Sequence, residues 1–180
     1  MKFNNSDLLI YSGSSINVSL NKNDNIQIKY VSNNHILENV DIYSKLILGK
    51  CDTCDSWYKD QFNGFSYDKV LVAGLGLGLI PQDLYTLENC SQVDVVDNNL
   101  ELINWVNNSG HLNNNINIIN DDIYSYDTSN LYDLIIIDIY WTVSEMTDSQ
   151  YNSLKNKYLN NLNSEGVLYF PINKKWDIKI

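Results

Sequence analysis

The stretch KVLVAGLGLGLIPQDL, from Lys69 to Leu84, decides the fold. Val70–Ala73 is apolar on both faces, glycines follow at Gly74, Gly76 and Gly78, and Ile80–Leu87 then has helical spacing. A short strand apolar on both faces belongs in a parallel sheet covered on both sides. Three of the eight glycines in the chain fall within these five residues. Glycine lets the backbone turn tightly and approach a ligand with no Cβ in the way, and the helix that opens there offers unpaired N–H groups.

Downstream of this loop the pattern repeats. Val93–Val96, Ile116–Ile119, Leu134–Ile137 and Val167–Phe170 read as further buried strands, with helical stretches at Leu100–Val106 and Tyr151–Leu162. Strands alternating with helices give an α/β class, a doubly wound, mostly parallel Rossmann-like sheet. Ligands in such sheets bind beyond the carboxyl ends of the strands, so the residues following each strand are the candidates for function.

After the first strand, the dinucleotide fingerprint would place its third glycine at position 79, which is Leu79; glycine at every second position is the spacing of nucleoside-sulfonium binders. The second strand ends in Asp97, 23 residues after Gly74. A carboxylate there can accept both hydrogen bonds of a ribose diol, and no Lys stands beside it to favour a 2′-phosphate. The competing role is a helix cap, to which Asn98 and Asn99 are equally suited. After the third strand come Asp121, Asp122 and Ile123, an acid to accept from an adenine amine and an apolar side chain to pack on its ring, or else a solvated turn. The fourth strand runs into Asp138, followed by Ile139, Tyr140 and Trp141. A charge directly after so apolar a strand is costly unless it faces a pocket or partner. Asp138 is therefore the candidate catalytic residue, as base or as holder of an amine, with Tyr140 and Trp141 as substrate-binding residues. The alternative is a capping Asp beside two core aromatics.

These segments, VLVAGLGLGLIPQDL, VDVVDNN, INDDIYSY and YDLIIIDIYW, resemble the class I S-adenosylmethionine-dependent methyltransferase superfamily, and within it most the spermidine synthase-like branch. The resemblance covers roughly residues 66 to 172. It implies S-adenosylmethionine, or its decarboxylated form, as cofactor, with Gly74, Gly76 and Gly78 beside the methionine part, Asp97 on the ribose and Asp122 on the adenine. Aminopropyltransferases of this branch carry a second Asp three residues after the one matching Asp138; here that place is Trp141. Methyl transfer to a small nucleophile is thus favoured over aminopropyl transfer. A protein that kept the fold and lost the chemistry is the reading from another class. The family sheet has seven strands with a final antiparallel hairpin, and only Trp176–Ile180 follows the fifth strand, so a truncated sheet is expected, with an edge for a partner subunit or the N-terminal strands to cover.

Residues 1–62 differ from the Rossmann-like part, 63–180. Leu8–Tyr11, Ile16–Leu20 and Asn25–Val31 read as antiparallel strands, and Ile36 to about Tyr58 as more helical. At 180 residues the chain is one domain with an extension. Its net charge is −10, its twelve basic residues are all Lys, and it has 28 Asn, the bias of an AT-rich gene. An acidic chain without Arg lacks the footprint that nucleic acids select. The expected partner is a small-molecule substrate, with a homo-oligomer possible. Three cysteines and no apolar leader point to a reducing cytoplasmic location, and no apolar run is long enough to span a membrane. Cys51 and Cys54 have metal-like spacing without further ligands, so no metal is expected.

Overall fold

The computed structural model describes residues 11–20, 26–31, 36–37, 67–87, 90–110, 112–139, 146–171 and 175–178. The chain divides into two compact units: Met1–Phe65 with Leu77–Leu79 and Asn99–Asn113, and Ser66–Gly76 with Ile80–Asn98 and Asn114–Ile180.

The first unit carries a four-stranded antiparallel sheet in the order β1-β2-β3-β4, formed by Tyr11–Ser12, Ile16–Leu20, Ile26–Tyr30 and Ile36–Leu37. Ile36–Leu37 is thus strand where helix was expected, because it pairs with Ile28 and Lys29; the rest of that stretch lies outside the described residues. So do Leu8–Ile10, Cys51, Cys54 and His35.

The second unit carries a six-stranded sheet. Its strands are β5 (Lys69–Ala73), β6 (Gln92–Asp97), β7 (Asn117–Asn120), β8 (Tyr132–Ile137), β9 (Leu162–Phe170) and β10 (Lys175–Ile178), in the order β10-β9-β8-β5-β6-β7. Five of them are parallel; β10 runs antiparallel to β9, with Trp176 opposite Tyr169. The residues left over after the fifth expected strand therefore supply one antiparallel edge strand, read from an alternation (Lys, Trp, Asp, Ile) too short to stand out alone.

Helix α1 (Leu79–Leu87) follows the glycine loop, α2 (Leu100–Ser109) follows β6, and α3 (Asp148–Tyr158) precedes β9 through a 3₁₀ turn at Leu159–Asn161. Helix α3 begins at a capping box: the Thr147 hydroxyl accepts from the Gln150 N–H at 3.2 Å while the Gln150 side chain accepts from the Thr147 N–H at 2.9 Å. Leu154 and Tyr158 of this helix join Leu71, Ala73, Val96, Ile135, Ile137, Leu168 and Phe170 in one buried cluster on one face of the sheet. Within the sheet the buried Asp94 accepts from the Tyr132 hydroxyl (2.8 Å), Gln92 Nε2 (2.7 Å) and Asn117 Nδ2 (3.0 Å), which is what makes a carboxylate tolerable there. Among the described residues no helix is long and apolar enough to cross a membrane, and no group of three or more His, Cys, Asp or Glu is placed to hold a metal ion.

Candidate functional site

The strand order creates the site. From β5 the chain builds outward through β6 to β7, then returns to lay β8 on the other side of β5, so the winding reverses between β5 and β8. At such a reversal the loops leaving the two strands part and open a crevice at their carboxyl ends. The registers Ala73 to Val96, Ala73 to Ile137 and Asp97 to Asn120 bring Gly74, Asp97, Asp121 and Asp138 to that one end.

Gly74 donates its N–H to the Val96 carbonyl at 2.9 Å, and the Asp138 N–H bonds to the Ala73 carbonyl at 2.9 Å. The ladder thus continues one residue beyond β5 before the chain turns at φ +96°. A Cβ at Gly74 would stand 2.3 Å from the Asp138 carbonyl oxygen, so glycine is required here both by conformation and by close approach. Gly76 (φ +51°) has nothing within 4 Å of where a Cβ would stand, whereas at Gly78 (φ +75°) a Cβ would meet a Leu112 methyl at 2.7 Å. Gly74 is held by backbone and Gly78 by a side chain, while Gly76 borders open space.

Asp97 braces the loop: its Oδ2 accepts from the Leu75 N–H at 2.8 Å. Sequence spacing placed an acid near the glycines but gave no sign of this bond, which fixes carboxylate and loop to one another. The capping task falls to Asn99, whose side chain accepts from the Leu102 N–H at 3.1 Å. Of the two adjacent acids, Asp121 accepts from the Asp122 N–H (2.7 Å) and Asp122 from the Tyr124 N–H (3.0 Å), while the Asp122 carbonyl takes the Ser125 and Tyr126 N–H groups. Both side chains are exposed in a tight turn. Ile123 is only 4% exposed and belongs to the buried cluster, its carbonyl accepting from the Tyr158 hydroxyl at 2.6 Å.

Asp138 keeps part of its surface open although its carboxyl group is densely surrounded by protein, and this burial raises its pKa to about 6. Tyr169 is the neighbour that sequence reasoning missed. It lies opposite Ile136 on β9, is fully buried, and its phenol is pushed up first by burial and then by the Asp138 charge. Only strand register reveals it, since 31 residues separate the two in the chain. Tyr140 and Trp141 lie outside the described residues.

The sequence matches no protein-family model and no curated protein. Among solved structures, the chain is similar to the N-methyltransferase NodS from Bradyrhizobium japonicum WM9 in complex with S-adenosyl-L-homocysteine. The TM-score is 0.50 at 19% identity, over 63% of this chain and 56% of that one. Coclaurine N-methyltransferase bound to N-methylheliamine and S-adenosylhomocysteine is similar with TM-score 0.51 at 20% identity, over 63% of this chain and 33% of that one. The chain therefore spans between a third and somewhat over half of the length of these structures. These likenesses show a Rossmann-like methyltransferase fold over about 63% of the chain.

Proposed function

We propose that this chain is an S-adenosylmethionine-dependent transferase that methylates a small-molecule nucleophile. The observation that carries the reading is the brace at the winding reversal: a glycine loop pressed onto the Asp138 carbonyl and tied through the Leu75 N–H to Asp97. The donor set fits the cofactor. Backbone N–H groups and carboxylates line the strand ends, and no Arg exists in the chain to neutralise a pyrophosphate. Such a set suits a ribose, a purine and a cationic sulfur better than a dinucleotide. The open space at Gly76 leaves room beside the loop.

In this reading Gly74, Gly76 and Gly78 receive the methionine part, Asp97 accepts from the ribose hydroxyls, and the turn Asp121–Ile123 takes the adenine edge. Bound S-adenosylmethionine supplies a methyl group activated by its sulfonium. What remains for the protein is to orient the acceptor and take up its proton. Asp138, with a pKa raised to about 6, is ionised at neutral pH yet still close enough to it to act as an acceptor of that proton. Tyr140 and Trp141 are proposed to flank the acceptor. Net charge −10 favours a cationic or neutral small molecule over nucleic acid, and an odd number of cysteines fits a reducing interior compartment.

The test is Asp138→Asn. Release of S-adenosylhomocysteine from S-adenosylmethionine is followed over a panel of small amines, phenols and thiols, with affinity for S-adenosylhomocysteine measured alongside. Turnover should fall by at least about a hundredfold, the usual share of a general base, with product affinity retained. A variant that turns over like the parent removes Asp138 from the chemistry.

A further inference from the structure

The first unit contains a carboxylate held by more donors than any other described in the molecule. Glu101, in the first turn of α2, accepts from the Tyr11 hydroxyl (2.8 Å), the Ser14 N–H (2.9 Å) and hydroxyl (3.3 Å), the Ser15 N–H and hydroxyl (both 2.5 Å), and the Ile16 N–H (3.3 Å). Four of the six donors come from the turn joining β1 to β2, and the other two from the residues flanking it, Tyr11 on β1 and Ile16 on β2. The fit leaves no slack, because a Cβ at Gly13 would stand 1.7 Å from Glu101 Oε1. The Ser15 hydroxyl also lies 2.9 Å from Asn99 Oδ1, the atom that caps α2, so its one proton is shared between the two acceptors. The same turn therefore grips both residues that start the helix. Hydrogen bonds from Ser15, then from Tyr11 and Ser14, hold the Glu101 carboxyl at about 2, so the anion is present throughout the physiological range.

Asn99 and Glu101 follow Asp97 by two and four residues. Whatever fixes the start of α2 fixes the exit of the turn that presents Asp97. We infer that Glu101 is a positioning residue for the nucleoside site: by anchoring the β1–β2 turn on the start of α2 it holds the 97–99 segment, and the two events, closure of this latch and ligand binding at Asp97, favour one another. The inference rests on the reading of Asp97 given above. It goes beyond that reading in assigning the N-terminal sheet a part in affinity, although none of its residues is proposed to touch the ligand.

Linkage makes the idea testable from two sides. Glu101→Gln removes the anion from the helix, and Gly13→Ala opens the latch from the sheet with α2 and Asp97 untouched. Hydrogen exchange at Ser14, Ser15 and Ile16 and the affinity for S-adenosylhomocysteine are measured for both variants and for Gly13→Ala in a Glu101→Ala background. Each single variant is expected to speed exchange at these amides and to weaken binding about tenfold. In the Glu101→Ala background, where the added Cβ no longer meets the carboxylate and the movable Tyr11 ring stands close, at 2.7 Å, Gly13→Ala should add little to the losses that Glu101→Ala causes alone. Faster exchange with unchanged affinity overturns the positioning role, and unchanged exchange overturns the latch itself. If the parent protein binds no S-adenosylhomocysteine, the nucleoside reading has failed and the inference goes with it; a parent that binds with variants that match it sinks the inference alone.

Discussion

Asp138 ties folding to the proposed chemistry. In the unfolded chain it titrates near 3.8, and in the native protein burial raises it to about 6. Between these values the native state keeps a proton that the unfolded state has lost. Stability therefore falls as pH rises from about 4 to 6, and the full cost is present above that window. Asp138→Asn should abolish this slope and leave the protein more stable above pH 6 by on the order of 3 kcal/mol, measured by denaturant titration across pH. On the proposed function, turnover is expected to rise with pH through about 6, as this carboxyl loses its proton. Asp97 makes the complementary case. Asp97→Ala removes both the proposed ribose acceptor and the partner of the Leu75 N–H, and should weaken S-adenosylhomocysteine binding at least about tenfold by calorimetry. A full-affinity variant would show that the loop does not need its brace. Both residues were legible in the sequence because a charge ending an apolar run is costly and therefore conspicuous. Tyr169 and Glu101 were not, since what matters about them is register and a turn 86 residues away.

At the scale of elements, β5, β6 and β8 were readable as runs buried on both faces, and β9 from its buried second half, whereas β7 offers only Ile118 and Ile119 between two exposed Asn. Boundaries were less so. Helix α3 begins at Asp148, three residues before the expected Tyr151, and the signal was the Thr147-x-x-Gln150 pattern of a capping box. Thr147→Ala should cost about 1 kcal/mol and lower the melting temperature by a few degrees. Strand β10 escaped reading because its four residues gain their meaning from pairing with β9. Its anchor is equally non-local: Asp177 accepts from the Tyr151 hydroxyl at 2.5 Å and pairs with Lys155, four residues along α3. The helical expectation for Ile36–Leu37 failed for a similar reason, pairing with β3 overriding local spacing.

At the scale of the molecule, fold and charge narrow function together. The winding order brings the carboxyl ends of β5 and β8 to one reversal, and Asp97, Asp121 and Asp138 stand at that end in a chain of net charge −10 without Arg. On the proposed function those groups receive a nucleoside carrying a positive sulfur. The most direct measurement is a calorimetric titration of the full chain with S-adenosylmethionine, decarboxylated S-adenosylmethionine, methylthioadenosine and S-adenosylhomocysteine in parallel. The account predicts that S-adenosylmethionine and S-adenosylhomocysteine bind, and bind more tightly than the decarboxylated sulfonium and its thioether. Binding of none of the four would contradict it and leave the glycine loop as scaffold.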